Sequence, residues 1–436
     1  MPPLITLATL LVALFILLGS GIYVAFGLAG VGILGLELLA DAGGIIGAVI
    51  YNSLASYPLS AIPLFMIMGQ IVLHGGLSDR LYQGVSQWTR VIPGGLTHSN
   101  ILSCSLFAAV SGSSLATAAT IGTVAYPAQT GRGYNASLVT GSLAAGGTLG
   151  ILIPPSINMI VYGAFVGVSV GKLFIGGVIP GFGLAALFMT YILFAAMINP
   201  SLGPPPERVR GRYFLEAIIA LKDIWPMLLI ILTIIGGIYG GLMTPTEAAG
   251  ISALIALVIT AAYRRLNLNM LKKSAIAALR TSAMVLILVM AAQVLGAAVS
   301  MLRIPAQLCE MVVEAELSRY VVWFAVVFIV IILGCFMDGL SIMLFTLPVL
   351  FPLLVTTLGF HPLVVGIFMV LQAECALITP PVGLNLYIIH GIAKGTDMMT
   401  IIRGIIPFFV LMLVMIVLIT YLPELVLFLP GMMIGR

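Results

Sequence analysis

"GILIPPSINMIVYG", residues 150–163, sets two consecutive prolines inside an apolar run long enough to cross a bilayer. The stretch "CALITPPVGLNLYIIHG", residues 375–391, repeats the arrangement, with Pro154 and Pro380 lying 226 positions apart. In a helix each proline lacks its own N–H and displaces the carbonyl four residues earlier. Pro154 and Pro155 therefore free the carbonyls of Gly150 and Ile151, and Pro380 and Pro381 free those of Ala376 and Leu377. The residue before a proline is pushed out of the helical region, so Ile153 and Thr379 are expected to be extended. Each segment should be two half-helices joined by an unwound link, which survives in a membrane only when protein buries it or it lines a hydrated cavity.

The rest of the chain supplies the membrane setting. Hydrophobic residues make up 61% and charged residues 7%, with a mean hydropathy of +1.23, against roughly 25% charged in a soluble domain. Apolar stretches of about 18 or more residues recur from end to end, which reads as an all-α polytopic membrane protein with no soluble domain between the spans. The N-terminal "MPPLITLATLLVALFILLGSGIYVAFG" lacks the basic region of a secretory signal and is expected to be the first permanent span. Cys104, Cys309, Cys335 and Cys375 stand in apolar surroundings without metal-ligand spacing, and the four histidines do not cluster with them. The formal net charge of +4 says little about partners, and no nucleic-acid partner is expected. Trp88, Trp225 and Trp323 fit interfacial belts.

Charge placement gives orientation. Arg208, Arg210, Arg212 and Lys222 flank one loop, and Arg264, Arg265, Lys272, Lys273 and Arg280 crowd another. The positive-inside rule puts both in the cytoplasm, with two crossings between them that turn at "MTPTEAAG". The chain also repeats. "GSGIYVAFGLAG" (19–30) matches "GGIYGGLMTPTEAAG" (236–250), Gln70 in "MGQIVL" answers Gln293 in "AAQVLG", and the proline pairs follow in order. Residues 1–203 form an N-terminal repeat and 226–436 a C-terminal repeat, joined by a cytoplasmic linker at 204–225.

Corresponding loops carry opposed charge. Positions 41–60 contain no Lys or Arg, whereas their counterpart 263–281 is basic. Arg80 and Arg90 stand against Asp79, whereas the matching stretch 303–319 carries Glu310, Glu314 and Glu316 against Arg303 and Arg319. The repeats are thus expected to be inverted, with both termini periplasmic. Five crossings per half satisfy this: 5–25, 28–41, 58–76, 134–168 and 172–198, then 226–243, 247–262, 282–300, 360–391 and 399–423.

One segment per half remains. Residues 98–128 run apolar to the polar tip "VSGSSLAT" and back; residues 320–352 run to "FMDGLS" and back through Pro348 and Pro352. Two full helices are the alternative for each, but the charge pattern requires both ends on one face, which favours re-entrant hairpins with protein-buried tips.

An unwound link offers bare carbonyls that can replace the hydration shell of a sodium ion, and a new helix N-terminus that attracts an anion. Ser156 and Asn158, and in the second half Thr379 and Asn385, add short polar side chains beside the breaks, while Gly146, Gly147 and Gly150 permit a hairpin tip to approach. Ser111, Ser113, Ser114, Thr117 and Thr120 either line the site, chiefly through backbone at Ser111 and Ser114, or satisfy helix carbonyls locally. Asp338 is the only formal charge between Arg319 and Glu374. It caps a helix in "MDGLS", sits near ion or substrate, or does both. Glu247 and Glu374 raise the same question more weakly, being near expected span ends.

"GTLGILIPPSINMIVYG" with "ITPPVGLNLYIIHG", together with "SGSSLAT" and "MDGLSIMLFTLPVLFP", resembles the large membrane subunit of tripartite ATP-independent periplasmic (TRAP) transporters across essentially the whole chain. The resemblance implies a sodium-driven secondary uptake system of a bacterial inner membrane, with an elevator mechanism. A soluble periplasmic binding protein delivers an organic anion, a carboxylate or sugar acid, and a small four-helix membrane subunit works alongside. It implies sodium (Na+) held by backbone oxygens of Ser111, Ser114, Gly150, Ile153 and Pro155, and a second set at Gly339, Ala376, Thr379 and Val382. Ser113, Ser156, Asn158, Asp338, Ser341 and Asn385 are the candidate substrate or gating side chains; Asn158 stands where an apolar residue or proline is expected. The transport body would comprise about 98–168 and 320–391 and the scaffold the rest, with "RLYQGVSQWTRV" as a connecting arm. The small subunit is expected to be a separate chain.

Other classes find less support. "GVSVGK" at 167–172 has the wrong glycine spacing for a phosphate loop and is followed by Leu173. No His, Asp or Glu neighbours "SGSSLAT" to activate a serine, so no enzyme activity is expected. A stand-alone inverted-repeat carrier of the dicarboxylate or citrate type, without a binding protein, is the competing reading.

Overall fold

A computed structural model describes residues 3–433 apart from 208–210 and 212. The described residues form helices joined by short loops: α1 (Pro3–Gly19), α2 (Val24–Leu34), α3 (Ile46–Leu54), α4 (Ala61–His74), α5 (Leu77–Thr89), α6 (Leu96–Ser111), α7 (Ser114–Thr130), α8 (Ala136–Leu152), α9 (Ile157–Val166) and α10 (Val170–Ile198). The second half continues with α11 (Tyr213–Tyr239), α12 (Pro245–Ala262), α13 (Leu268–Met301), α14 (Ile304–Glu314), α15 (Arg319–Gly334), α16 (Gly339–Phe351), α17 (Pro362–Ile378), α18 (Leu384–Ile392), α19 (Met398–Tyr421) and α20 (Glu424–Gly431). Among the described residues, eight helical stretches are long and apolar enough to cross a membrane, including Ala136–Val166, Val170–Ile198 and Leu268–Met301. This is a multi-pass, all-helical membrane protein.

Each half contains a helical hairpin followed by a helix broken at its proline pair: α6–α7 then α8–α9, and α15–α16 then α17–α18. The first arm of each hairpin is short, whereas the second arm of the second hairpin runs on from α16 to Thr357 and is long enough to cross. With 16 residues each, α6 and α15 reach about 24 Å at 1.5 Å per residue, less than the ~30 Å hydrocarbon core. By contrast α13, with 34 residues, reaches about 51 Å, so it can cross and still carry Lys272, Lys273 and Arg280 beyond the core.

Two regions read as loops prove largely helical. The linker 204–225 is helical from Tyr213 onward, and the basic loop 263–281 from Leu268 onward. The second begins at an N-cap, Asn267, whose side chain accepts from the Met270 N–H at 2.9 Å. Neither 213–225 nor 268–281 contains glycine or proline, so the membrane helices extend past the bilayer and carry the charges on their own ends. The linker arginines Arg208, Arg210 and Arg212 lie outside the described residues.

The arm "RLYQGVSQWTRV" forms most of α5, whose polar face meets the extension of α11. Arg80 pairs with Asp223 at 3.4 Å, and Arg90 with Glu207 at 3.5 Å and with Glu216. The Tyr213 hydroxyl donates to the Trp88 carbonyl at 3.0 Å.

Packing separates two groups of helices. α13 packs against α2, α3 and α4, and α12 against α4 and α11. The hairpins pack on the broken helices: α6 and α7 on α8, α15 and α16 on α17, with α8 and α17 touching each other. α19 joins this second group through α8, where Gly141 and Gly404 bring the backbones together. Trp323 departs from the interfacial expectation. It is fully buried, 4.1 Å from Phe368 and 4.3 Å from Phe360 between ring centres, whereas Trp88 and Trp225 are exposed. Inside α15, its indole serves as core between hairpin and broken helix.

Candidate substrate and ion site

The first hairpin turns at Gly112 (φ +60°) and Ser113, which is extended and accepts from the Ala116 N–H at 3.4 Å as the N-cap of α7. The left-handed conformation needs glycine, and a Cβ there would also lie 3.2 Å from the Pro155 carbonyl. On the facing side, a Cβ on Gly150 would lie 2.7 Å from the Ser113 carbonyl oxygen and 2.8 Å from the Ser114 nitrogen. The tip therefore abuts the first break, bringing Ser111, Ser113, Ser114, Gly150 and Pro155 into one place. Within the tip, the Thr117 hydroxyl donates to the Ser113 carbonyl at 2.8 Å and lies 2.8 Å from the Ser111 hydroxyl. These hydroxyls thus satisfy the tip itself.

At the break, Ile153 is extended (φ −76°, ψ 120°) and the Pro154–Pro155 bond is cis. Of the two freed carbonyls, that of Ile151 is taken up by the Ser156 hydroxyl, which also caps α9 by accepting from the Met159 N–H at 3.4 Å. Gly150 keeps a carbonyl without its helical donor. Ile153 packs against Gly181 of α10, and residues 150–158 are all buried. Asn158 is 4% exposed, and its side-chain nitrogen has no hydrogen-bond partner.

The second site is built alike but not equally. Asp338 is the N-cap of α16: its carboxylate accepts from the Ser341 N–H at 3.2 Å and from the Ser341 hydroxyl. A Cβ on Gly339 would meet the Ala373 carbonyl oxygen at 2.7 Å, and one on Gly334 the Ala376 Cβ at 2.8 Å, so this tip lies on α17 just before its break. Thr379 is extended (φ −92°, ψ 121°), and the Pro380–Pro381 bond is again cis. The Thr379 N–H reaches the Ala376 carbonyl at 3.4 Å, so that oxygen is only partly free; Leu377 lacks its helical donor. The Thr379 hydroxyl donates to the Cys375 carbonyl at 2.6 Å and the Tyr387 hydroxyl to the Pro381 carbonyl at 3.1 Å. Pro380 and Pro381 are exposed and Val382 is half-buried, unlike the sealed first break.

Asn385 links the halves. Its side-chain nitrogen donates to the Ala144 carbonyl of α8 at 3.2 Å, beside Gly147, and its oxygen is buried without a partner. Replacing it with alanine removes one neutral bond between the two broken helices. Asn385→Ala is expected to lower stability by about 1 kcal/mol, read as a lower Tm of the detergent-solubilised protein.

Two buried side chains carry more than sequence reasoning assigned them. Glu374 does not lie at a span end: it is fully buried in α17, about one turn and a half before Pro380, and neither carboxylate oxygen has a partner. Gln372, 1% exposed, is likewise unpaired at both polar atoms. The sequence signal was a polar pair inside a run that is otherwise apolar from Pro362 to Ile378. Among the described residues no group of His, Cys, Asp or Glu has the geometry of a metal centre, and all four cysteines are free.

The family described as "Tripartite ATP-independent periplasmic transporter, DctM component" matches residues 9–425. The chain is 37% identical over 383 residues to the C4-dicarboxylate TRAP transporter large permease protein DctM of Pseudomonas aeruginosa, covering 88% of each. It is 32% identical over 424 residues to the isethionate TRAP transporter permease protein DctMQ of Oleidesulfovibrio alaskensis, spanning 96% of this chain and 65% of that longer one. Among solved structures, the YdaH transporter of Alcanivorax borkumensis has a similar fold, with a TM-score of 0.56 at 15% identity over 90% of this chain and 89% of that one. The protein is thus a member of the TRAP transporter family, a large permease component of the DctM type built for ATP-independent transport.

Proposed function

We propose that this permease carries an organic anion, a carboxylate or sugar acid, into the cell by sodium symport across a bacterial inner membrane. A periplasmic binding protein delivers the substrate, and a small four-helix membrane subunit extends the scaffold. The observation that carries the reading is the approach of each hairpin to a proline-broken helix: at the break itself in one half, Gly112–Pro155 and Gly150–Ser113, and on the last turns before it in the other, Gly339–Ala373 and Gly334–Ala376. Backbone oxygens stripped of helical donors suit a hard cation such as sodium. Names of relatives support the substrate class: C4-dicarboxylate and isethionate are both organic anions.

Two bound cations offset the cost of carrying negative charge through a low-dielectric slab, so the loaded body moves and the anion alone does not. The moving body consists of α6–α9 and α15–α18, with α10 and α19 packed on it. It slides against a scaffold of α1–α4 and α11–α13, with α5 as a connecting arm. The second break, with Pro380 and Pro381 exposed, is the less covered of the two.

Reconstitution in liposomes with the small subunit, candidate binding proteins and a panel of carboxylates, under an imposed sodium gradient without ATP, tests the reading. Uptake should require both the gradient and one binding protein. Equal uptake without any binding protein would make the protein a stand-alone carrier.

A further inference from the structure

At the seam between scaffold and moving body lies a cavity of about 510 Å³ to which no residue of either break contributes. Its scaffold wall, on α3 and α13, carries the polar groups, Asn52, Ser53, Gln293 and Ser300, beside Val49 and Ala297. Its opposite wall, from α9 and α16, is apolar and includes Phe165 and Pro348. The walls meet at Gly296, where a Cβ would lie 3.3 Å from Pro348 and 3.5 Å from Phe165. No Lys, Arg, Asp or Glu is among the lining residues.

The backbone gives this neutral cavity a sign. α3 ends at Leu54, α9 at Val166 and α13 at Met301, so three helices present their C-terminal turns around it. Each such end carries a partial negative charge of about half an electron. Glu37 and Asp41 precede α3, and residues 1–79 contain no Lys or Arg. Arg303, the nearest base in sequence to Ser300, follows the end of α13 and is outside the lining. The polar wall adds amide and hydroxyl oxygens; Ser53 donates its proton to the Ile50 carbonyl at 2.8 Å, which leaves its lone pairs for a ligand. An anion would meet three repelling helix ends, whereas a cation would meet three attracting ones.

We infer that this cavity is an antechamber that holds a monovalent cation with its water shell, separate from the backbone oxygens at the breaks. Its volume accommodates an ion together with water, and its neutral ligands bind weakly enough to release it, as a pathway site must. By the loop charges it faces the side opposite the basic loops, where it concentrates the coupling ion before entry. With sodium as that ion, the inference rests on the function proposed above; the labelling arm of its test does not.

Ser300→Cys, and Asn52→Cys as a second position, are reacted with a cationic and an anionic methanethiosulfonate of similar size, with rates normalised to a free thiol and sites read by peptide mass spectrometry. The cationic reagent should react about tenfold faster or more at both positions. Raising sodium at constant ionic strength should slow it. Gln293→Lys in either background should reverse the preference and raise the sodium concentration that half-activates uptake. Equal rates, or faster reaction with the anionic reagent, would overturn the inference. A cationic preference with uptake indifferent to sodium would leave the cation site standing and refute the sodium-coupled function instead.

Discussion

Gly150→Ala is expected to reduce sodium-driven uptake at least tenfold in protein that inserts and elutes like the native chain. The added Cβ would sit 2.7 Å from the Ser113 carbonyl oxygen and 2.8 Å from the Ser113 carbonyl carbon and the Ser114 nitrogen. All three are backbone atoms, which cannot rotate away as a side chain can, so the hairpin tip must retreat from the break. Ligand distances at an ion site tolerate only about ±0.2 Å, so on the sodium sites proposed above even a small retreat would spoil coordination shared by tip and break. The packing cost itself, about 1–3 kcal/mol, is survivable for a protein with so large a buried core. Gly339→Ala makes the same intrusion on the Ala373 carbonyl at 2.7 Å and should damage the second site alike. Gly250→Ala is the control: nothing lies within 4 Å of its Cβ, and a helical alanine there should leave uptake unchanged. Uptake within about twofold of native for both tip-facing variants would show that the approach of tip to break is packing and nothing more.

Asp338 is expected to separate capping from charge. Serine can also accept from the N3 backbone N–H, so Asp338→Ser should retain the start of α16 and a near-native Tm. Alanine cannot, and Asp338→Ala should cost about 1 kcal/mol of stability. If the carboxylate also helps to hold a cation beside Gly339, both variants, and Asp338→Asn with them, should lose at least about tenfold in uptake, since one charge-assisted contact exceeds 1.4 kcal/mol. Transport by Asp338→Ser at the native rate would reduce the residue to a cap.

Much of this site was legible because proline and glycine act locally. A missing N–H at Pro154 or Pro380 breaks a helix whatever surrounds it, so the extended Ile153 and Thr379 and the half-helix pairs followed from four residues. The hairpin tips were legible for a similar reason: Gly112 takes a left-handed turn, and Asp338 begins a helix by its own short side chain. Helix ends were less legible. The bilayer bounds where a helix must be apolar but not where it must stop, so α11 and α13 ran on into stretches that composition marked as loops.

The sequence by itself determined that the chain is a helical membrane protein whose halves share an order of hairpin and broken helix, because those features reside in hydropathy and in single backbone positions. Only the tertiary structure decided which polar groups are open and which are closed. In sequence the two breaks are equivalent. In the fold, α10 and the first hairpin tip cover residues 150–158 and Ser156 takes the Ile151 carbonyl, while Pro380 and Pro381 stay exposed. Glu374 and Trp323 were misplaced for the same reason. Burial is set by elements far apart in the chain, and no local pattern reports what will pack against a given face.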